Sequence, residues 1–482
     1  MVTTLVLRSI SVDIKMFKVW ILLKNKEMNE MSTVEELVAR SREAQKQFEF
    51  ATQEQADAAA RAVCKAVYDN QEMLGKMAAE ESRMGDVNDK IAKCRNKSAL
   101  IWESLKGKKS VGVIRRIEEK RMLEIAKPVG VVCAVLPSTN PVVTPMGNAA
   151  AALKTRNSII FGPHPRGINV CKVVVDLFRK ELAKLGLPED LVLCLEEVSL
   201  EDSNKLMSMV DEIVATGGPG MVKAAYSSGK PSLGVGQGNV QVIVDRDVDI
   251  AEACGKIIAG RRFDNGLICL GEQTAFVPEE KFDEFIAEFR KQGGYYAEGK
   301  EATDKLREGI FPGGGPINRD VVGLSAEKIA EKLGIEVPEG TKVLGATATV
   351  VGKGDDLCRE KLCPVINIMP YGTFEEGVAN MVKNLEFEGK GHSVAIHSNN
   401  PEHVEYCGIH CSVSRCIVNQ PAGTTGGGSP TNGYPPTTTL GCGSWGNNSF
   451  SGNFNYEHLM NITRVGYPYE ESYLPDPAKA WD

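Results

Sequence analysis

The first regular pattern in the chain is helical. Between Thr33 and Glu81, apolar residues recur every three or four positions, which is the spacing of one face of an amphipathic helix. Ser32 or Thr33 would cap the first helix, with Glu35 and Glu36 in its first turn. The residues expected to face the core are Leu37, Ala44, Phe48, Ala58, Ala62 and Val67. The pattern therefore predicts a helical N-terminal region.

From Val129 onward, short apolar runs alternate with loops and helical stretches. The four runs expected to be buried strands are Val129–Leu136, Asn157–Gly162, Leu191–Leu195 and Asp211–Gly218. Strands that alternate with helices of this length indicate a parallel, doubly wound sheet. A second block of the same kind begins at Val240–Asp245 and runs to about Pro421. The chain is therefore predicted to be an α/β protein.

Two segments do not fit this alternation. The residues from Ser110 to Glu124 include V-G-V-I-R-R-I-E-E-K-R, which predicts a turn between two extended segments and a candidate arm toward another subunit. The residues Ala422–Asn448 contain most of the late glycines, and an irregular segment of this length is either disordered or functional. Trp445 and the neighbouring threonines argue against a free linker.

Composition and charge narrow the class of protein. At 482 residues, with 42% hydrophobic and 25% charged, the chain has the balance of a globular protein of two or three domains. A formal net charge of −7 offers no broad basic surface for nucleic acid. The thirteen cysteines include no C-x-x-C pair, which argues against a disulfide framework and favours a reducing cytoplasm. The histidines and cysteines lack metal-ligand spacing, so no metal site is expected.

Residues 1–31 form a separate leader. Its apolar run Met16–Leu23 is far shorter than the ~20 residues of a membrane span. No small-residue cleavage site follows, which argues against a signal peptide. Two interpretations stay open: a loosely ordered leader with Met28 or Met31 as the natural start, or a targeting tag, for instance into the protein shell of a bacterial microcompartment.

Cys269 is the candidate nucleophile. It stands in F-D-N-G-L-I-C-L-G-E-Q, where D-N-G indicates a turn that would present the thiol to a ligand. Taken alone, any one of the cysteines is more often a small buried apolar residue. The assignment of Cys269 as a nucleophile is well supported only when other motifs of the chain are considered with it.

Those motifs occur in order along the chain. They are P-S-T-N-P (137–141), A-T-G-G (215–218), A-A-Y-S-S-G-K-P-S-L-G-V-G-Q-G-N (224–239), E-K-L-C-P-V (360–365), G-K-G-H (389–392) and T-T-T-L-G-C-G-S-W-G (437–446). With these segments, the chain resembles the CoA-acylating branch of the aldehyde dehydrogenase superfamily. Within that branch it most resembles CoA-dependent succinate-semialdehyde dehydrogenases, with acylating sulfoacetaldehyde and acetaldehyde dehydrogenases as near neighbours. The leader before Met31 lies outside the resemblance.

The resemblance implies an aldehyde dehydrogenase-like α/β architecture. A doubly wound dinucleotide-binding domain would span 32–240, with an oligomerisation arm at about 110–124. An α/β catalytic domain would span 241–425, and the segment 426–482 would return to the cofactor domain or the oligomer interface. The implied assembly is a homodimer or a homotetramer, with no nucleic acid or membrane partner.

The resemblance also implies a chemical sequence at Cys269. The thiolate attacks an aldehyde to give a thiohemiacetal, which the side-chain amide of Asn140 and the Cys269 N–H stabilise. Hydride passes to NADP or NAD, which leaves a thioester on Cys269. The acyl group of this thioester is then transferred to coenzyme A. His392, in G-K-G-H, would deprotonate CoA or position its pyrophosphate, although a lone histidine is more often structural.

One absence distinguishes acylating from hydrolytic chemistry. Hydrolytic aldehyde dehydrogenases carry a water-activating glutamate in an E-L-G-G-K segment, whereas the matching segment here is S-L-G-V-G-Q-G-N (232–239). Without that base, water should attack slowly and the more nucleophilic CoA thiolate should prevail. A hydrolytic dehydrogenase and a cysteine acyltransferase without redox chemistry are the alternatives.

The cofactor-binding residues are carried over from the same motifs. They are Pro137, Ser138, Pro163, His164, Arg166, Thr216, Gly217, Gly236 and Glu360. Thr216 and Gly217 fall where a strand meets a helix, a place suited to phosphate. Glu360 matches the glutamate that holds the nicotinamide ribose. His164 and Arg166 stand where NAD-restricted enzymes often have a carboxylate, so NADP is expected to be tolerated and preferred.

The aldehyde is the least specified component. Arg415, Asn419 and Thr438 lie in segments expected to line the substrate funnel, where an arginine or hydroxyl could hold a distal carboxylate or sulfonate. Surface or packing roles are equally open for each of them. Succinate semialdehyde is the first candidate, sulfoacetaldehyde the second and acetaldehyde the third.

Overall fold

The N-terminal part of the molecule is helical, as predicted. The computed structural model describes residues 32–474 and 476–481, so the leader 1–31 lies outside the described residues. The helices are α1 (Val34–Phe48), α2 (Gln53–Asp69), α3 (Gln71–Ser82) and α4 (Val87–Leu105). The Thr33 side chain caps α1 in a capping box with Glu36. Helix α4 had no counterpart in the sequence interpretation.

The core face of α2 differs from the expected one. Ala58 and Ala62 are only half-buried, whereas Ala56, Ala59 and Val63 are fully buried. The prediction continued the spacing of α1 past Phe48, but α1 ends there and α2 begins at Gln53. A break between helices resets the helical phase, so Ala58 and Ala62 were wrong as core residues, whereas Val67 is fully buried as predicted.

A five-stranded parallel sheet follows. Its strands are β3 (Val131–Val135), β4 (Ser158–Gly162), β5 (Val192–Cys194), β6 (Glu212–Ala215) and β7 (Ser232–Gly234), in the order β5-β4-β3-β6-β7. The helices that follow its first four strands are α5 (Val143–Lys154), α6 (Ile168–Lys184), α7 (Leu200–Met209) and α8 (Pro219–Ser227). The strand order reverses between β3 and β6, and the carboxyl ends at such a point form a ligand crevice.

The second sheet has seven parallel strands. They are β8 (Val240–Val244), β9 (Glu272–Pro278), β10 (Gly294–Tyr296), β11 (Val343–Ala346), β12 (Val365–Tyr371), β13 (Val394–His397) and β14 (Cys416–Val418), in the order β10-β11-β12-β9-β8-β13-β14. Its helices are α9 (Ile250–Arg262), α10 (Phe282–Lys291), α11 (Gly299–Ile310), α12 (Ala326–Leu333), α13 (Phe374–Phe387) and α14 (Pro401–His410). Cys269 lies in the connection from α9 to β9. The two parallel sheets confirm the predicted α/β class.

The candidate arm is a hairpin with a third strand added. Strand β1 (Gly112–Ile117) pairs antiparallel with β2 (Met122–Pro128), and β2 also pairs with β17 (Met460–Gly466). The hairpin was predicted, whereas β17 comes from the far end of the chain and was not. None of the described helices has the length and apolarity that a membrane crossing would need.

The glycine-rich segment Ala422–Asn448 is held in place by tertiary contacts. It contains the short helix α15 (Ala422–Thr425) and strand β15 (Leu440–Cys442), which pairs with β16 (Ser451–Asn453). Of the two interpretations, disordered or functional, the second agrees with its position, since several of its residues line the cavity described next.

Candidate active site

A cavity of about 1680 Å³ is lined by residues that follow strands of both parallel sheets. Residues Leu136–Asn140 follow β3 and Thr216–Gly218 follow β6, so both segments lie at the point where the strand order reverses. Cys269 and Glu360 line the same cavity from the second sheet's connections. The fold therefore brings the nucleophile motif and the two strand-end motifs to one site.

Cys269 is presented by a tight turn. Asp264, Asn265 and Gly266 have φ values of 49°, 51° and 70°, three successive left-handed residues that Asp, Asn and Gly tolerate best. The thiol lines the cavity, and burial raises its pKa to about 12, with the nearby Glu360 carboxyl as the next cause. In this state the thiol is protonated at neutral pH.

The backbone next to Cys269 leaves no room for a side chain. A Cβ atom on Gly238 would lie 2.2 Å from the carbonyl oxygen of Cys269. Gly238 carries no side chain because the two backbones approach each other this closely. The segment 232–239 thus supports the nucleophile directly, in addition to lining the cavity.

The side chain of Asn140 reaches the cavity with its amide oxygen already bonded. Lys93 Nζ donates to Asn140 Oδ1 at 2.6 Å and also to the buried carboxylate of Asp264. The amide nitrogen makes no hydrogen bond to any of the described residues, and Asn140 lines the cavity. An N–H donor is therefore available to a ligand.

The cavity wall contains a single carboxyl group among the described residues, Glu360. Burial and, second, the neighbouring Glu388 carboxylate raise the pKa of Glu360 to about 8, against hydrogen bonds from Gln237 and the Gly238 N–H that lower it. The group is therefore mostly neutral at pH 7. The residues Val235–Gly238, which match the hydrolytic base segment, line the cavity without an acid.

Most of the residues expected to bind the cofactor line this cavity. They are Pro137, Ser138, His164, Thr216, Gly217, Gly236 and Glu360. The N–H groups of Gly217 and Gly218 have no protein acceptor in the described part of the chain, and they precede the first turn of α8. Free N–H groups at a helix start fit a cofactor phosphate. The exposed Lys223 lines the same part of the cavity.

Two of the expected cofactor residues lie elsewhere. Pro163 is buried and does not line the cavity, and Arg166 lies in a smaller neighbouring cavity of about 380 Å³ with Arg83 and Arg319. His164 Nδ1 accepts a hydrogen bond from the Arg166 N–H at 3.0 Å. Burial, followed by the Arg166 charge, lowers the pKa of His164, so its ring is neutral at pH 7.

Known proteins share this arrangement over nearly the whole chain. A family model described as "Aldehyde dehydrogenase family" matches residues 22–307. The acetylating succinate-semialdehyde dehydrogenase of Clostridium kluyveri is 48% identical over 453 residues, covering 94% of this chain and 99% of that protein. The chain belongs to the aldehyde dehydrogenase family. Because the family match begins at residue 22, the expectation that the whole leader lies outside the resemblance was wrong.

Further relatives point to the CoA-acylating branch. The acylating sulfoacetaldehyde dehydrogenase of Bilophila wadsworthia is 40% identical over 444 residues, covering 91% of this chain and 96% of that protein. An acetylating aldehyde dehydrogenase from Geobacillus thermoglucosidasius has a TM-score of 0.88 at 38% identity, covering 91% and 97%. A propionaldehyde dehydrogenase from Rhodopseudomonas palustris, solved with CoA and an acylated cysteine, has a TM-score of 0.80 at 26% identity, covering 91% and 97%. The enzyme is a CoA-acylating oxidoreductase, as its motifs indicated.

Arg415 and Asn419 do not reach the cavity, contrary to expectation. The guanidinium of Arg415 is buried and donates to Ser393 Oγ, Asn453 Oδ1 and the carbonyls of His392 and Gly441. The Asn419 amide exchanges two hydrogen bonds with the backbone of Ser398. Both side chains already make hydrogen bonds to other protein groups, so neither is free to bind a substrate anion. Thr438 does line the cavity, where its hydroxyl donates to Thr144 Oγ1 at 3.0 Å.

His392 lies behind the cavity wall. Neither ring nitrogen has a hydrogen-bond partner among the described residues, and burial, followed by the Arg415 charge, lowers its pKa well below the usual range. A Cβ on the adjacent Gly391 would lie 2.8 Å from the N–H nitrogen of Gly446, which lines the cavity. The ring is neutral at pH 7 and does not itself line the cavity.

The sequence interpretation missed the lysines of α4. Lys90, Lys93 and Lys97 share one helix face, and the last two line the cavity. Lys97 Nζ donates to the carbonyls of Gly427 and Gly428 at 2.7 and 3.0 Å. Burial, followed by the Lys93 charge, lowers the pKa of Lys97 to about 8. Their spacing was visible in the sequence, but such a run is usually a solvated face.

Proposed function

We propose that the enzyme converts succinate semialdehyde, CoA and NADP+ or NAD+ into succinyl-CoA and NADPH or NADH. The observation that carries the choice of substrate is the half-buried ammonium of Lys97 in a cavity with one, mostly neutral, carboxyl group. A small aldehyde with a distal anion matches this cation. The name of the Clostridium kluyveri relative points to the same aldehyde.

Lys97 lies near the residue that follows the nucleophile. Leu270 follows Cys269, and a Cβ atom on Gly427 would lie 3.6 Å from Leu270 Cδ1 and 3.2 Å from Lys97 Nζ. The ammonium group and the leucine therefore meet at the same glycine. Two of the three ammonium protons bond to backbone carbonyls, which leaves one for a substrate carboxylate. This cation takes the role that was expected of Arg415.

In the proposed reaction the Cys269 thiol adds across the aldehyde group: its sulfur bonds to the carbon, and its proton passes to the oxygen. The resulting thiohemiacetal oxygen lies against the Asn140 amide N–H and the Cys269 N–H, two donors suited to a developing negative charge. Thr216, Gly217 and Glu360 would hold NADP+ or NAD+, which would supply the acceptor for the hydride of this carbon. The hydroxyl proton of the thiohemiacetal is released to solvent as the hydride leaves. The carbon is thereby oxidised to a thioester on Cys269. The CoA sulfur then bonds to the thioester carbon, the bond to the Cys269 sulfur breaks, and Cys269 regains a proton as acyl-CoA leaves.

The absence of a water-activating base favours transfer to CoA over hydrolysis. In the described part of the chain, the segment 232–239 brings no acid to the cavity. Glu360, which does line it, is mostly protonated at pH 7 and accepts hydrogen bonds from Gln237 and Gly238. A protonated carboxyl cannot take a proton from water, so thiol attack has the advantage.

For His392 we propose a role in CoA chemistry. Its ring is unprotonated at neutral pH, as a general base requires, and its loop touches the cavity-lining Gly446. A His392→Ala variant is expected to keep the first turnover of NAD(P)H and to lose CoA-dependent turnover. Loss of both steps would indicate that the ring supports only the packing.

For the cofactor we propose that NADP+ is accepted and preferred. His164 lines the cavity, and Arg166 lies in the smaller cavity with Arg83 and Arg319. Glu81 and Asp320 line that smaller cavity too, so three cationic side chains outnumber two carboxylates there. A carboxylate that would repel a 2′-phosphate is absent from the described lining next to His164. A strong preference for NAD+ in kcat/KM would contradict this proposal.

We also propose a division of the chain into domains and a mode of assembly. A dinucleotide-binding domain would span 32–240, a catalytic domain 241–425 and a returning segment 426–482, with homodimers or homotetramers formed through the arm. Thirteen free thiols suit a reducing cytoplasm. A bacterial microcompartment shell is the alternative location.

One assay tests the proposed reaction. A panel of C2 to C4 aldehydes, with and without a terminal carboxylate or sulfonate, is offered with each cofactor in the presence and absence of CoA. Succinate semialdehyde should have the highest kcat/KM, and turnover should require CoA. Mass spectrometry of enzyme quenched without CoA should find the acyl group on Cys269. Undiminished turnover without CoA would favour a hydrolytic dehydrogenase, and acyl exchange without nicotinamide would favour an acyltransferase.

A further inference from the structure

We propose that Lys93 is a positioning residue that fixes and polarises the Asn140 amide, so that its N–H faces the oxygen of the thiohemiacetal. The proposal rests on the role proposed above for Asn140. It goes beyond that role because it makes a helix outside the known motifs part of the machinery. Lys93 lies on α4, separated from Asn140 by 47 positions.

The orientation of an asparagine amide is set by its hydrogen bonds. Asn140 Oδ1 accepts from Lys93 Nζ at 2.6 Å, and an ammonium group can only donate. The oxygen is therefore held toward α4, and the Nδ2 hydrogens point away from the lysine. A flipped amide would place its nitrogen against a cation. Lys93 thus excludes the orientation that would offer a carbonyl oxygen to the substrate alkoxide.

A single buried carboxylate ties this lysine to the nucleophile turn. Lys90 and Lys93 both contact Asp264 Oδ2, and all three side chains are buried. The Asp86 N–H donates to Asp264 Oδ1 at 2.9 Å, and the Asp264 N–H donates to Asp89 Oδ2 at 2.8 Å. The start of α4 is therefore locked to the turn that ends at Cys269. The Cys269 thiol and the Asn140 amide are therefore both positioned relative to the Asp264 carboxylate.

The charge of the cluster suits the proposed role. The Lys90 and Lys93 ammonium groups share the single carboxylate of Asp264, so that carboxylate does not neutralise both of them. A cation bonded to the amide oxygen draws electron density from the amide and strengthens its N–H as a donor. This effect is greatest when the substrate oxygen becomes negative, so it acts on the transition state more than on the bound aldehyde.

The test is a double-mutant cycle on Lys93 and Asn140. The rate of the first NAD(P)H turnover is measured without CoA, using succinate semialdehyde and its form deuterated at the aldehyde carbon to verify that hydride transfer is observed. Asn140→Ala should lower this rate by about 10²–10³-fold. Lys93→Met should lower it by about tenfold or more with a KM change below about threefold. The double variant should be no slower than Asn140→Ala, because Lys93 acts through the amide.

Two further variants separate positioning from folding. Lys93→Gln keeps a donor for Asn140 Oδ1 without the charge, so its rate should fall between wild type and Lys93→Met. Arg95→Met changes an exposed cation on the same helix and should leave the rate and Tm unchanged. Effects of Lys93→Met and Asn140→Ala that multiply in the double variant would overturn the proposal, as would a wild-type rate in Lys93→Met. A wild-type rate in Asn140→Ala would overturn both roles while leaving the CoA-dependent reaction intact.

Discussion

At the residue scale, the site depends on polar groups whose protonation is altered by burial. The thiol of Cys269 and the carboxyl of Glu360 have raised pKa values, while Lys97 has a lowered one. In each case the first cause is burial, which disfavours the charged form. A ligand carboxylate beside Lys97 would favour the charged form of the lysine and raise its pKa. The same ion pair would contribute to binding of the ligand. Charge recognition in this enzyme is therefore strongest for ligands that enter the cavity completely.

Removal of the Lys97 ammonium should selectively impair anionic aldehydes. Lys97→Met keeps most of the side-chain volume and removes the charge-assisted hydrogen bond, worth about 1.5–3 kcal/mol. The kcat/KM for succinate semialdehyde should fall by roughly 10- to 100-fold. Butanal, which has the same carbon count and no carboxylate, is the control and should be affected by less than about threefold. Equal losses for both aldehydes would indicate a packing role instead.

The same lysine predicts a pH dependence. Its pKa of about 8 reflects burial and Lys93, and the carbonyls of Gly427 and Gly428 face it from the opposite side. The substrate carboxylate is ionised throughout, so only the protonated lysine binds it. The ratio of kcat/KM for succinate semialdehyde to that for butanal should be flat below pH 7. Above pH 8 it should fall toward tenfold per pH unit. Titration of Cys269 affects both aldehydes and cancels in the ratio.

In Lys97→Met the ratio should be low and independent of pH. The comparison needs only steady-state kinetics with the two aldehydes between pH 6 and 10. A decline that persists in the variant would assign the titration to another group.

At the element scale, loops between strands and helices build the site, and glycines decide how closely they approach. The turn 264–266 presents Cys269, and the segment Val235–Gly238 forms the wall beside it. Helix α4 also lines the cavity, through Lys93 and Lys97. The positions of the reacting groups thus depend on contacts among three separate elements.

A side chain at position 238 should displace the nucleophile. In Gly238→Ala the new Cβ would overlap the Cys269 carbonyl, whose backbone cannot yield without moving the thiol. A displacement of about 1 Å costs on the order of 10²-fold in rate. The first-turnover rate should fall accordingly. The matched control is Gly408→Ala in α14, where a Cβ meets nothing within 4 Å. It should retain full activity, and a similar loss in both variants would contradict the assignment.

At the scale of the whole molecule, the three-stranded sheet joins distant parts of the chain. Strand β17 pairs with β2, so the C-terminal segment adds to the arm that the sequence predicted as a hairpin. Beyond β17, Tyr467, Tyr473 and Trp481 are 51%, 83% and 90% exposed. Exposed aromatic side chains beside a small sheet are typical of a surface that another subunit covers.

Truncation after Gly466 should therefore weaken self-association. This variant keeps β17 and removes the exposed aromatic residues. Sedimentation velocity should find a homodimer or homotetramer for the full chain and a smaller species for the truncated one. Ile409→Asp changes a residue that is 77% exposed on α14 and should leave the assembly intact. A monomeric full chain would contradict the proposed assembly.

The sequence by itself determined the features that depend on neighbours along the chain. Apolar runs placed the strands of both sheets, Thr33 placed the first helix start, and D-N-G placed the turn before Cys269. These signals are local, because periodicity and turn geometry involve only a few consecutive residues. The motifs also carried the family resemblance that the relatives confirm.

Only the tertiary structure decided which charged groups face the cavity. Lys97 bonds to Gly427 across 330 positions, whereas Arg415, the cation chosen from the sequence, is occupied by backbone carbonyls. A charged residue looks the same in the sequence whether it is solvated, paired or buried. Its role depends on which segments pack around it, because desolvation and pairing are properties of the surroundings and not of the residue.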